Sequence, residues 1–405
     1  MLVAASVSEG YFDDRPTITR RGYEDLRGSR PRTFRWRVTA ALLHLFWFTA
    51  LRMSSPSSRS TLGFGIIGVG MIADYHAQAI AATQGGRLVG VATRNAENGR
   101  AFAAKHAVPF VTTSVAELVA RPDIDVVCIT TPSGAHLEPA LAAVRAGKHL
   151  VVEKPIEITV ERTDELLRAA DAAGVKISPI FQARFGEGAR ALKAAIEAGR
   201  FGRLVLASAY VKWHRSREYY TGWKGTLALD GGGAAINQGI HGIDLLQWFA
   251  GMPVEVYARK TRRVYEHIEA EDTLSATLHY SNGALGSIEA TTAAWPGWSR
   301  RIEICGENGS ARLEDDHLAE WTFRTALPED DAIRAAGLDP AMASGAGAPN
   351  AISHHGHLRQ IQDLIDSLRE SRPLAINGHE ARKAVALICA LYASAQQGAP
   401  VKLGA

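Results

Sequence analysis

The run Gly147-Lys148-His149-Leu150-Val151-Val152-Glu153-Lys154-Pro155 carries a short apolar stretch straight into a lysine and a proline. In open parallel sheets, ligands sit in the crevice outside the carboxyl ends of the strands, so Lys154 stands where such folds do chemistry. A second apolar stretch, Phe64 to Ile67, runs into Gly68-Val69-Gly70-Met71-Ile72-Ala73. In this Gly-x-Gly-x-x-Ala pattern the first glycine permits a tight turn. The second lets a pyrophosphate approach the backbone, and Ala73 allows close helix packing. The following helix offers free amide groups to the phosphate. Two strands ending at one crevice bring a dinucleotide and a lysine together, with Gly68, Gly70, Met71, Ile72, Glu153 and Lys154 as expected cofactor contacts.

A third constellation lies between Asp230 and Trp248, where Gly231-Gly232-Gly233 precedes an apolar helix. Read as an α-helix, Ile236, Ile240 and Ile243 share one face. Asn237, His241 and Asp244 then form the adjacent polar stripe at the same spacing. That stripe either lines a cleft or is a core-edge histidine held by Asp244 one turn away. The glycines favour the cleft, because they permit close approach of a ligand.

The elements that must position these residues change grammar along the chain. Strands are expected at Phe64–Ile67, Leu88–Ala92, Val126–Thr130, His149–Glu153 and Lys176–Ile180, with helical stretches such as Val115–Val119 and Pro139–Arg145 between them. Strands spaced by helices imply parallel pairing with right-handed crossovers. After the helical stretch Gly188–Ala198, the runs Leu204–Lys212, Val254–Arg262, Thr273–Tyr280, Ala284–Ala290 and Arg301–Cys305 alternate in polarity. Ser281-Asn282-Gly283 and Gly306-Glu307-Asn308-Gly309 are turn signals among them, so this part reads as a largely antiparallel sheet. The fold class is therefore an α/β dinucleotide-binding domain at 61–182, followed by an α+β domain at 183–405 with a large, mostly antiparallel sheet. Residues 1–60 form an N-terminal extension.

Length and composition narrow the partners. The chain has 405 residues, 46% of them hydrophobic, enough for two cores. Residues 1–52 hold nine Arg, no Lys and five acids, which leaves 36 bases against 37 acids elsewhere. A near-neutral body with no basic stripe gives no electrostatic reason to bind nucleic acid. Val38–Leu51 is short for a membrane span and contains His44. No small-x-small cleavage site follows it, and Met53 opens an ordinary polar leader that reads as the true start. Cys128, Cys305 and Cys389 are widely spaced and read as reduced, buried residues of a cytosolic protein. Ala335–Asn350, rich in Ala, Gly and Pro, reads as a long loop.

Three further clusters bear on ligands. The second strand ends at Ala92-Thr93-Arg94-Asn95, with no acid where one would hold the ribose 2′-hydroxyl of NAD. Thr93 and Arg94 can hold a 2′-phosphate instead, which favours NADP and leaves NAD as the alternative. The third strand ends in Thr131-Pro132-Ser133-Gly134-Ala135-His136. Thr131 and Pro132 lie beside the dinucleotide, and His136 either joins them or bonds local backbone. Lys212-Trp213-His214-Arg215 and Tyr219-Tyr220-Thr221-Gly222-Trp223-Lys224 interleave aromatics with donors, a mixture that suits sugar rings and equally a subunit interface. Arg184, Lys212, Tyr220 and Trp223, with Lys154, Asn237 and His241, are the candidate substrate contacts. His354, His355 and His357 have no supporting carboxylate or Cys at metal-ligand spacing, so no metal is expected.

Taken together, Gly68–Ala73, Thr131–His136, Gly147-Lys148-His149, Glu153-Lys154-Pro155, Gly239-Ile240-His241-Gly242-Ile243-Asp244 and the tail elements Arg372-Pro373-Leu374 and Val401-Lys402-Leu403 resemble the Gfo/Idh/MocA oxidoreductases over residues 62–404. The resemblance implies that Lys154 contacts substrate and nicotinamide, and that His241 lies at the carbon undergoing hydride transfer. Many members carry an Asp four residues before the histidine, where this chain has Asn237, which shifts proton abstraction toward His241 alone. The implied activity is oxidation of a secondary hydroxyl of a sugar, sugar derivative or cyclic polyol by a homo-oligomer, a dimer or tetramer joined through the second sheet. A non-catalytic, dinucleotide-sensing protein on the same fold is the competing expectation.

Overall fold

The computed structural model describes residues 61–336, 346 and 353–404. The expected N-terminal extension, and nearly all of the expected loop at Ala335–Asn350, lie outside them.

Six parallel strands form the first sheet: β1 (Leu62–Ile67), β2 (Gly86–Ala92), β3 (Phe110–Thr112), β4 (Val126–Ile129), β5 (His149–Val152) and β6 (Ile177–Pro179). Their spatial order is β3-β2-β1-β4-β5-β6, so the chain reverses direction across the sheet between β1 and β4. Every residue of β1 and β4 is buried, as expected of strands covered on both faces. The covering helices are α1 (Met71–Ala82), α2 (Ala96–His106), α3 (Val115–Val119), α4 (Leu137–Arg145) and α5 (Val160–Ala173). Helix starts follow local chemistry: Asn95 caps α2, Ser114 caps α3 and Thr159 caps α5 through side-chain oxygens. Gly70, at the start of α1, supplies no such cap.

After α6 (Glu187–Glu197) comes an eight-stranded sheet built from β7 (Leu204–Lys212), β8 (Glu255–Thr261), β9 (Thr273–His279), β10 (Leu285–Thr291), β11 (Arg301–Gly306), β12 (Gly309–Glu314), β13 (His317–Phe323) and β14 (Val401–Lys402). Its order is β13-β12-β11-β7-β10-β9-β8-β14. All pairs are antiparallel except β7 with β10. Burial alternates along β9 and β10, so one face is covered and the other is not. The covering helices are α8 (Ile240–Ala250) and α11 (Gly378–Gln397), with the single turn α7 (Leu227–Asp230) leading toward α8. The short α9 (Asp330–Ala335) lies on β13, while α10 (His355–Arg369) packs on α1 through Ile361, Leu364 and Ile365. That last helix returns from the second half of the chain to the core of the first sheet.

Sequence periodicity failed at one consequential place. Residues Ala234–Gly239 form a π-helical turn before α8, not the first turn of an α-helix. The widened turn rotates everything that follows, and such turns recur at functional sites. Asn237 is therefore out of register with α8, whereas within α8 His241 keeps its i, i+3 spacing to Asp244, whose partner lies elsewhere. Asp244 faces Arg184, with Arg184 Nε and Nη2 donating to its two carboxylate oxygens at 2.8 and 2.6 Å. Two of the three cysteines, Cys305 and Cys389, are only half-buried, against the expectation of full burial.

Candidate active site

The carboxyl ends of β1, β2, β4 and β5 open onto one cavity of ≈ 1240 Å³. Its lining starts at Ile67–Ile72, passes Ala92–Asn95 and Thr130–Ser133, and reaches Glu153 and Lys154. The second half of the chain closes it with Trp213, Arg215, Tyr219, Trp223, Lys224, Asn237, Gln238, His241 and Arg300.

The first part suits a dinucleotide. Gly68 has φ of +94°, and a Cβ there would lie 2.9 Å from the Thr130 carbonyl oxygen, so only glycine fits without strain. A Cβ on Gly70 would meet nothing within 4 Å, which leaves the turn open toward a ligand. The N-terminal amides of α1 have no side-chain cap, and Asp74 in its first turn is taken by Lys105 and His106 at 2.9 and 2.6 Å. An uncapped helix N-terminus with no competing carboxylate attracts a pyrophosphate. Thr93, Arg94, Asn95 and Asn98 line the end of β2 without an acid among them. Thr131 and Pro132 line the cavity too, the Thr131 hydroxyl donating to Ala135 O at 2.8 Å. His136 is 1% exposed, and its ring nitrogens face the Pro155 and Thr131 carbonyls at 2.9 and 3.0 Å. It bonds local backbone on both sides and lines the cavity as well.

At the centre, Lys154 Nζ donates to the backbone carbonyl of Asn237 at 2.7 Å, tying the end of β5 to the π turn. Burial lowers its pKa from 10.5, opposed by the carboxylates of Glu153 and Asp230. His241 is 9% exposed, and its Nδ1 has no hydrogen-bond partner among the described residues. Burial, with Lys154 and Arg300 nearby, holds its pKa well below 6.5, so the free imidazole is neutral. Asn237 is more committed than expected. Its amide nitrogen donates to Asp230, and its oxygen accepts from Tyr219 Oη at 3.3 Å and Gln238 Nε2 at 3.1 Å. One amide hydrogen is left for a ligand.

Asp230 was not foreseen as a site residue. It also accepts from Gly225 N at 2.8 Å, and burial pushes its pKa up to about 6. A carboxylate is therefore present one hydrogen bond behind Asn237. Glu153 is also enclosed. His76 Nε2 and His357 Nε2 donate to one of its oxygens at 2.8 and 3.2 Å, and the Lys154 amide donates to the other at 3.1 Å. These contacts hold its pKa well below 4.5 despite burial. The histidine cluster is thus His76, Glu153 and His357, whose ligand atoms lie within 4.8 Å of one another, not His354, His355 and His357.

Three candidate substrate contacts lie off the cavity. Arg184 is buried between Asp244 and Glu380, Lys212 pairs with Glu289 at 2.6 Å, and the Tyr220 hydroxyl meets Thr292 at 2.5 Å. Their neighbours Ala183, Trp213 and Tyr219 line it instead, and Trp223 lies on it as expected. No described helix is long and apolar enough to cross a membrane.

Comparison with known proteins agrees with this architecture. The chain is 32% identical to the WlbA dehydrogenase of Bordetella pertussis, solved with NADH and UDP-GlcNAcA, covering 85% of this chain and 99% of that one with a TM-score of 0.76. It is 36% identical over 250 residues to a protein of Ensifer adhaerens named 1,5-anhydro-D-fructose reductase, covering 61% of this chain and 74% of that protein. An inositol 2-dehydrogenase of Gluconacetobacter diazotrophicus is 29% identical, over 63% and 74% of the two chains. Residues 62–181 match the oxidoreductase family with an NAD-binding Rossmann fold, and residues 189–312 match the GFO/IDH/MocA C-terminal domain. The chain therefore belongs to the GFO/IDH/MocA family of oxidoreductases and is an enzyme that binds a nicotinamide dinucleotide.

Proposed function

We propose that this enzyme oxidises a secondary hydroxyl of a sugar, sugar derivative or cyclic polyol, with Lys154 and His241 handling the oxygen and its proton. The observation that carries the reading is the convergence of Lys154 and His241 on the cavity that begins at the uncapped glycine turn. The names of the relatives support the substrate class, since they include an anhydrofructose reductase, an inositol dehydrogenase and a dehydrogenase held with a nucleotide sugar.

The neutral His241 imidazole accepts the hydroxyl proton as the C=O bond forms. The Lys154 ammonium, anchored on the Asn237 carbonyl, stabilises the developing alkoxide. A nicotinamide dinucleotide held at the Gly68–Ile72 turn would supply the two-electron acceptor for the hydride that the carbinol carbon gives up. Asn237, held by Asp230, Tyr219 and Gln238, positions the lysine and offers one donor to the substrate. In the reverse direction His241 returns the proton.

The acid-free turn at Thr93 and Arg94 supports NADP in preference to NAD. The uncovered face of the second sheet, where Val205, Leu206 and Leu285 are about half exposed, supports a homo-oligomer joined there. The test is initial-rate reduction of each nicotinamide with pyranoses, anhydrosugars, inositols and nucleotide sugars, in wild type and Lys154→Met.

A further inference from the structure

We propose that the carbohydrate taken by this site is an anion whose oxyanion is held by Arg215 and Lys224. The inference rests on the dehydrogenase reading above and adds the charge of its substrate. The second half of the chain contributes Arg215, Lys224 and Arg300 to the cavity lining and, among the described residues, no carboxylate. With Lys154 that makes four cations on the cavity wall away from the end of β2. The two acids on the wall are engaged elsewhere: Glu138 accepts from Arg162 at 3.2 Å, and Glu153 is enclosed by His76 and His357.

Buried charge persists in proteins where something compensates it. Arg215 is 4% exposed and pairs with no carboxylate among the described residues. Its Nη1 donates to the carbonyls of His214 and Ala346 at 2.8 and 3.1 Å, its guanidinium lies 5.0 Å from the Trp213 ring centroid, and its Nε has no partner. Among the described residues, Lys224 Nζ has only the face of Tyr219, 3.6 Å from the ring centroid. Asp230 is the carboxylate whose field reaches Lys224, and it is already shared by Asn237 and the Gly225 amide. Arg300 differs, because Asp315, Asp316 and Asp244 balance part of its charge, although its Nε also lacks a partner. The counter-ion missing from Arg215 and Lys224 is supplied by the ligand. A guanidinium fork beside an ammonium matches a carboxylate or a phosphate.

The test compares three probes on NADP-loaded full-length protein, by calorimetry and by turnover: D-glucuronate, D-glucose, and D-glucose phosphorylated on its primary hydroxyl. At least one anion should bind about tenfold or more tightly than glucose, the scale of a charge-assisted contact. The tighter of the two identifies carboxylate or phosphate as the group recognised. Lys224→Met, at a half-buried position, should reduce that ratio to about threefold or less. Glucose binding as tightly as both anions would overturn the inference, and its oxidation would leave the dehydrogenase reading standing. Failure of both anions to bind, or a ratio unchanged in Lys224→Met, would also overturn it. Selective anion binding without oxidation of any probe would support the charge assignment and count against the dehydrogenase reading.

Discussion

Lys154→Met separates catalysis from architecture more cleanly than any other substitution in this cavity. Methionine keeps the length and most of the volume of the lysine stem but removes the charge and the donor that reaches the Asn237 carbonyl at 2.7 Å. Losing one preorganised donor to a developing oxyanion costs about 3–4 kcal/mol, or roughly two to three orders of magnitude in kcat. The orphaned carbonyl adds a separate stability cost of about 1–3 kcal/mol, visible as a lower Tm. Cofactor affinity should stay within about threefold of wild type, because the phosphate-binding turn lies on β1 and α1 and is untouched. The pH profile supplies an independent signature. The ammonium exists below its pKa, which burial has lowered from 10.5, so wild-type activity should fall on an alkaline limb that begins below that value. The methionine variant should lack this limb. Stopped-flow reduction of nicotinamide, with cofactor titration by fluorescence, measures each quantity. A variant turning over within about threefold of wild type at neutral pH would refute the oxyanion role of Lys154.

His241→Ala should lower kcat by about two or more orders of magnitude, with partial recovery at high pH where hydroxide replaces the base. Since the free imidazole has a pKa well below 6.5, the acid limb of wild-type kcat/KM should also lie well below pH 6.5; a limb at the ordinary histidine value would contradict the assigned environment. Arg94→Asp should weaken NADP selectively and improve NAD, and a wild-type enzyme that already prefers NAD would sink the cofactor assignment. Gly68→Ala, which places a Cβ 2.9 Å from the Thr130 carbonyl oxygen at a φ of +94°, should cost about 1–3 kcal/mol of stability and weaken both dinucleotides, as thermal melts with and without cofactor would report.

The parallel half of the fold was legible because its signals are local. Apolar runs give β1, β4 and all of β5 after His149, a glycine turn joins β1 to α1, and Asn95, Ser114 and Thr159 cap the helices they precede. The placement of Lys154 and His241 on the cavity wall was legible for the same reason, each sitting beside a recognisable chain signal. The residues that were misjudged are those whose partners lie far along the chain. Arg184 finds Asp244 sixty positions away, Lys212 finds Glu289, and Tyr220 finds Thr292, all through tertiary packing with no trace in local spacing. The π turn at Ala234–Gly239 broke the periodicity on which the polar stripe rested, and so took Asn237 out of register with His241 and Asp244. Arg215, Arg300 and His357 line the cavity, Asp230 and His76 lie behind residues that line it, and the five come from different segments. A sequence scan for metal spacing stops at His354–His357 and cannot see His76 reach Glu153 from α1.

One cavity should unite a bound nicotinamide with a carbohydrate hydroxyl held by Lys154 and His241. The most direct test of that union is the appearance of reduced nicotinamide when NADP-loaded or NAD-loaded protein meets sugars, anhydrosugars, cyclic polyols, nucleotide sugars and their acid forms. At least one of these should reduce the cofactor in wild type, with the rate lost in both Lys154→Met and His241→Ala. A wild-type protein that binds the cofactor and the carbohydrate yet produces no reduced nicotinamide would contradict the account and identify a dinucleotide-sensing binding protein built on an oxidoreductase fold.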